Sequence, residues 1–167
     1  MQAHESKYKK SQEAADLRDQ YLGLIDAPPA KAYSSPTEPH PRRSAMDDIL
    51  VAVVDDDESV RESLPDLIRE FGFEARAFSS AREYLSSDSI GDIKCLLLDI
   101  FMPGMTGIEL HRELKARGQQ IPIIFMTASK NETLRPHLIE QGAVECLFKP
   151  FSDAALLAAL RGALRIG

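Results

Sequence analysis

Ile49-Leu-Val-Ala-Val-Val-Asp-Asp-Asp57 sets six apolar residues, four of them β-branched, directly before three carboxylates. A run this short and this rich in branched side chains reads as a strand buried on both faces of a sheet. The polar break at its end is abrupt. Carboxylates crowded at a strand end repel one another and call for a cation.

Downstream the texture repeats. Val60, Leu64, Leu67 and Ile68 fall at helical spacing over residues 58–70, with Pro65 inside the pattern and Gly72 as the stop. Pro65 predicts a kink or a tight first half. Phe73 to Phe78 alternates like a strand, and Ser80 opens a short helix to Leu85. Cys95-Leu-Leu-Leu98 is a further buried strand. The Pro103-Gly104 turn leads to a helix carrying Ile108, Leu110 and Leu114, stopped by Gly118. Pro122 to Met126 reads as the fourth strand, residues 131–140 as a weaker helix disturbed by Pro136, and Val144 to Phe148 as the fifth strand. Residues 153–165 form the last helix, with Ser152 as N-cap and Phe151 and Leu156 placed for a hydrophobic staple. Five strand–helix rounds imply a parallel sheet with helices on both faces.

Upstream the composition changes. Of the ten prolines in the 167 residues, five (Pro28, Pro29, Pro36, Pro39 and Pro41) fall within residues 28–41. Such a stretch has too little apolar surface to fold and reads as a linker. Before it, Ala14, Leu17, Tyr21 and Leu24 lie on one helical face, a marginal amphipathic segment. The expected division is a tail and Pro-rich linker over residues 1–47 and one domain over residues 48–167. The chain carries 44% hydrophobic and 28% charged residues, a globular balance. No apolar run can span a bilayer and the first residues lack a secretory pattern, so no membrane association is expected. Two cysteines cannot build a disulfide framework, which sets a cytoplasmic expectation. A net charge of −6 argues against direct nucleic-acid binding, because that affinity rests on Lys and Arg.

In parallel sheets, function collects at the carboxyl ends of the strands. Those ends carry Asp55-Asp56-Asp57, Asp99, Thr127 and Lys149-Pro150. An all-oxygen acidic cluster suits Mg2+, and a Lys with a Thr hydroxyl suits a bridging phosphoryl group.

Four segments resemble the receiver domains of two-component response regulators. They are Val53-Val-Asp-Asp-Asp-Glu-Ser-Val-Arg61, Leu98-Asp-Ile-Phe-Met-Pro-Gly-Met-Thr-Gly107, Phe125-Met-Thr-Ala128 and Phe148-Lys-Pro-Phe151. The branch resembled often carries a LuxR-type DNA-binding domain. The resemblance implies a flavodoxin-like (βα)5 three-layer sandwich, sheet order 2-1-3-4-5, behind a flexible N-terminal extension. It implies that Asp99 accepts phosphate from a sensor histidine kinase and that the domain then switches its interaction surface. Asp56 would bind Mg2+ directly and Asp55 through water, with Asp99 and the Phe101 carbonyl completing the set. Thr127 and Lys149 would hold phosphoryl oxygens, and the Lys149-Pro150 bond would be cis. Such a domain is not an enzyme in the ordinary sense, although it assists its own Mg2+-dependent phosphorylation and dephosphorylation. It would act on a downstream protein that the sequence does not name, and a homodimer on phosphorylation is left open. The chain reads as a stand-alone receiver or an excerpt.

A phosphorylation-independent docking module is the alternative, and the intact acceptor set argues against it. Metal-dependent phosphohydrolases with an aspartyl nucleophile carry Asp-x-Asp, whereas Asp99-Ile-Phe101 has no second carboxylate. Asp57 and Glu58 read as charges at a helix start. His111 lies beside an apolar stripe, and Cys95 and Cys146 read as small buried hydrophobes. In the family the position of Cys146 usually holds a ring, so the loop after Thr127 is expected to carry more of the response.

Overall fold

The computed structural model describes residues 46–167. The expectations for residues 14–24 and 28–41 lie outside them. The elements run β1 (Leu50–Val54), α1 (Glu58–Glu70), β2 (Glu74–Phe78), α2 (Ala81–Leu85), β3 (Ile93–Asp99), α3 (Gly107–Ala116), β4 (Ile123–Thr127), α4 (Leu134–Glu140), β5 (Glu145–Phe148) and α5 (Asp153–Leu164). The strands form one five-stranded sheet in the order β2-β1-β3-β4-β5. Every paired neighbour is parallel. This is the predicted (βα)5 arrangement, and all five strands point their carboxyl ends to one edge.

Burial explains the strand composition. Every residue of β4 is buried, and all of β3 except Lys94. One face of the sheet packs Val54, Leu96, Leu98 and Phe125 against Tyr84 of α2, Leu110 and Leu114 of α3 and Leu138 of α4. The other packs Val53, Leu97, Ile124 and Met126 against Leu64 and Ile68 of α1 and Leu156 and Leu160 of α5. Full burial of side chains of this size contributes roughly 1.5–3 kcal/mol each. His111 is buried as well, edge-on to Phe125 with ring centroids 5.6 Å apart.

Capping sets the helix starts. Asp57, Ser80, Thr106 and Ser152 are extended and each accepts a backbone N–H of its helix. Thr106 and Glu109 complete a capping box on α3. Phe151 and Leu156 join the same apolar cluster, as the staple reading requires. Helix α1 continues through Pro65, which is buried, to Glu70. Helix α4 starts at Leu134, later than the sequence pattern predicts, because Asn131 and Thr133 are held in side-chain turns. A 3-10 turn at Ile90–Asp92 precedes β3 without a sequence signal.

Tyr84 contacts Phe78 edge-on, yet its fully buried hydroxyl has no hydrogen-bond partner among the described residues. Burial pushes its pKa up to about 12. An unpaired buried hydroxyl costs about 1–3 kcal/mol. Tyr84→Phe should therefore raise stability by about 1 kcal/mol, measured as a higher denaturation midpoint at unchanged slope. A lower midpoint would mean that the hydroxyl has a partner, such as an ordered water.

Candidate functional site

The carboxyl edge of the sheet gathers side chains from four strands. Strand β1 runs into Asp55, fully buried, and then Asp56, which is exposed. Asp57 is the N-cap of α1 and accepts the N–H of Ser59 at 2.9 Å. Strand β3 ends on buried Asp99 and β4 on buried Thr127. Lys149 follows β5, and the Lys149-Pro150 peptide is cis, as the sequence motif implied.

Asp55, Asp56 and Asp99 each offer a carboxylate oxygen, and these oxygens lie within 4.8 Å of one another. Lys149 Nζ lies 2.6 Å from Asp55 Oδ2 and 3.5 Å from Asp99 Oδ1, bridging the two buried acids. The second Asp55 oxygen accepts the N–H of Asp57 at 2.9 Å. Thr127 is tied to the same strand ends, since its carbonyl accepts the N–H of Lys149 at 2.7 Å. Its hydroxyl accepts the N–H of Ser129 at 3.1 Å. Phe101 is 61% exposed, and its ring carries no donor atom, so only its backbone carbonyl is suited to a ligand role.

One positive charge is set against three carboxylates, and the imbalance shows in Asp99. Burial, then the neighbouring Asp55 charge and the farther Asp56, push its pKa up to about 6 against the opposing pull of Lys149. Burial alone would depress Lys149, but its hydrogen bond to Asp55 and the charges of Asp55 and Asp99 hold it above the usual lysine value. An all-oxygen donor set with two buried acids and one facing water fits Mg2+, which keeps part of its hydration shell. A cation there would offset the repulsion that raises Asp99.

Two supporting residues close receiver-like segments of the sequence, but the sequence assigns them no role. Arg61, on the first turn of α1, donates from Nη1 to the Asp55 carbonyl at 3.0 Å. It stands six residues after Asp55 and closes the first receiver-like segment, the two signals that could have found it. Gly107 opens α3 with its N–H on the Ile100 carbonyl at 2.9 Å. A Cβ there would run into the Asp99 carbonyl oxygen and lie 3.1 Å from Ile100 Cα.

The family model for the response regulator receiver domain matches residues 51–161. The chain belongs to the response regulator receiver domain family. Among curated relatives of this receiver, the response regulator protein TodT of Pseudomonas putida is 38% identical over 117 residues, 70% of this chain and 52% of its own length. The transcriptional regulatory protein FixJ of Azorhizobium caulinodans is 40% identical over 114 residues, covering 68% of this chain and 54% of that one. The chain thus spans about half the length of these relatives. The FixJ-N crystal structure superposes with a TM-score of 0.64 at 32% identity, covering 73% of this chain and 98% of that one. The receiver fold is the five-stranded order described above. Its family acts in two-component systems, and such domains are generally not classical enzymes. No helix among the described residues is long and apolar enough to cross a membrane.

Proposed function

We propose that this receiver takes a phosphoryl group from the phosphohistidine of a sensor kinase onto Asp99 and then alters its interaction surface. The observation that carries the reading is the convergence of Asp55, Asp56 and Asp99, with Lys149 bridging the two buried acids. In the transfer an Asp99 carboxylate oxygen attacks phosphorus as the bond to the donor imidazole breaks. The imidazole leaves with the electron pair. Little covalent work falls to the protein, so positioning and charge neutralisation dominate. Mg2+, bound by Asp55, Asp56, Asp99 and the Phe101 carbonyl, would supply charge neutralisation. Lys149 and the Thr127 hydroxyl would hold phosphoryl oxygens, and Arg61 would fix the Asp55 backbone.

The same reading sets the domain at residues 48–167, with residues 1–47 outside the phosphoacceptor unit. Two buried free cysteines, Cys95 and Cys146, fit a reducing cytoplasmic setting. The kinase and downstream protein would be recognised on the rim of the acidic pocket and on the surface it controls.

Intact mass after incubation with acetyl phosphate and Mg2+ tests the proposal. One phosphoryl adduct is expected, and chelation should remove it. The chain beginning at Met46 should label equally well. Absence of an adduct with Mg2+ present would favour the phosphorylation-independent docking module. An adduct that survives chelation would remove the cation from the reading.

A further inference from the structure

The strands that gather the acidic pocket at their carboxyl ends leave their amino ends at the opposite edge of the sheet. There an open cavity of about 690 Å3 lies against the start of β4, walled by the last turns of α3 and α5 and by the loop before β5. Small-molecule sites commonly measure about 300–1,000 Å3. None of the lining residues is acidic, although the chain holds 26 acidic and 20 basic residues. His111, Lys115, Gln119 and Arg165 bring polar groups, and Ile121 and Val144 supply apolar wall.

His111 points to a ligand. It is 6% exposed, packs edge-on to Phe125 and lines the cavity. Neither ring nitrogen has a hydrogen-bond partner among the described residues. Among those residues the Tyr84 hydroxyl is the only unpartnered side-chain polar atom sealed from solvent, so the imidazole keeps a nitrogen open to the cavity. Burial, and then the Lys115 charge, lowers its pKa, so at neutral pH the ring is uncharged and offers one N–H. A polar group withdrawn from water without a partner is costly, and a ligand atom would satisfy it.

Lys115 follows His111 by four residues, so both lie on one face of α3. Its ammonium donates to the Gln141 carbonyl and has two further N–H groups. Arg165 caps α5, which packs on the other face of the sheet. It is exposed, and its guanidinium has no hydrogen bond or ion pair among the described residues. Helix C-termini ordinarily favour cations. Here the carbonyls of Leu114, Leu138 and Arg161 accept the N–H groups of Gln119, Ala143 and Ile166, and that of Gln141 accepts Lys115. The side-chain groups left open are donors, and two of them are positive.

We propose that this cavity binds a small organic carboxylate with an apolar body. The His111 N–H and the Lys115 ammonium receive the carboxylate, Arg165 closes over it, and the apolar body lies on Ile121 and Val144. An inorganic anion fits less well, because it gains nothing from the apolar wall. The site stands at the other end of the strands from Asp55, Asp99 and Lys149, so its occupancy does not depend on phosphoryl transfer.

Amide NMR titrations of the full chain with benzoate, at neutral pH and fixed ionic strength, test the site. Benzoate should shift the amides of residues 119–123, 142–144 and 162–165 saturably and leave those beside Asp99 in place. Benzamide keeps the shape without the charge, and inorganic phosphate keeps a charge without the apolar body. Each should bind at least about tenfold more weakly than benzoate. Arg165→Gln removes one charge from an exposed position and should weaken benzoate roughly tenfold, as the loss of one charge-assisted hydrogen bond does. His111→Phe keeps a ring against Phe125, removes the nitrogen and should weaken benzoate as well. If that variant does not fold, Arg165→Gln decides alone. Absence of saturable shifts at these residues overturns the proposal, and so does benzamide binding as tightly as benzoate. Phosphate binding as tightly as benzoate would overturn the carboxylate assignment. Benzoate affinity unchanged by the substitutions would place it outside this cavity.

Discussion

Asp99→Asn should abolish phosphoryl labelling outright and, in chelator above pH 6, raise the melting temperature of the same chain. Loss of labelling follows from removing the only attacking oxygen the proposal allows. The gain in stability follows from linkage. The Asp99 carboxyl is raised from 3.8 to about 6 by burial and by the Asp55 charge. Between those two pH values the folded state binds more protons than the unfolded chain, so stability falls as pH rises through the window. The contribution of Asp99 is fully present below about pH 4 and lost once pH passes about 6. A shift of this size corresponds to roughly 2–3 kcal/mol of destabilisation by the ionised group. Asparagine has the same shape and no charge, and Lys149 keeps its bond to Asp55 at 2.6 Å. Melting curves in chelator at pH 5 and pH 8 separate the terms. The wild type should lose stability between them relative to Asp99→Asn, and Mg2+ at pH 8 should narrow the gap. A variant less stable than the wild type at pH 8 would mean that Asp99 is not strained in the metal-free fold. Labelling that persists in the variant would move the acceptor elsewhere.

What the sequence made legible was set by burial. Strands β1, β3, β4 and β5 are short apolar runs that end abruptly, so Asp55, Asp99, Thr127 and Lys149 stand out as the first polar or charged residues after each run. Parallel order then brings them to one edge. Arg61 was not legible, because the Asp55 carbonyl it reaches is part of the backbone and leaves no mark in residue type. The late start of α4 was hidden for a related reason. Leu134 and Leu138 keep helical spacing, but Asn131 and Thr133 spend their side chains on local turns that an apolar pattern does not register. His111 was readable as lying beside the apolar stripe, while its contact with Phe125 depends on how closely α3 approaches β4.

Gly107 is the sharpest case of a residue whose role lies in three-dimensional approach, and Gly107→Ala should destabilise the domain by about 3 kcal/mol or more. The backbone at Gly107 is not left-handed, so conformational freedom is not the issue. The issue is space. An added methyl would overlap the Asp99 carbonyl oxygen, with the Asp99 carbonyl carbon 3.0 Å and Ile100 Cα 3.1 Å away. All three are backbone atoms at the end of a buried central strand, so none can yield as a flexible side chain would. Overpacking of a tight site costs about 1–3 kcal/mol, and backbone neighbours place this one at or above the top of that range. The capping box of Thr106 and Glu109 holds α3 in place against the strain, so the displacement falls on the loop from Ile100 and on Asp99 itself. Phosphoryl labelling should slow as well. Gly162→Ala in α5 is the control, because a Cβ there meets nothing within 4 Å. Its only effect is helix propensity, which favours alanine by up to about 1 kcal/mol. Denaturant titrations should therefore give opposite signs for the two substitutions. A Gly107→Ala variant as stable as the wild type would show that α3 can draw back from β3, and that its close approach is not what holds Asp99.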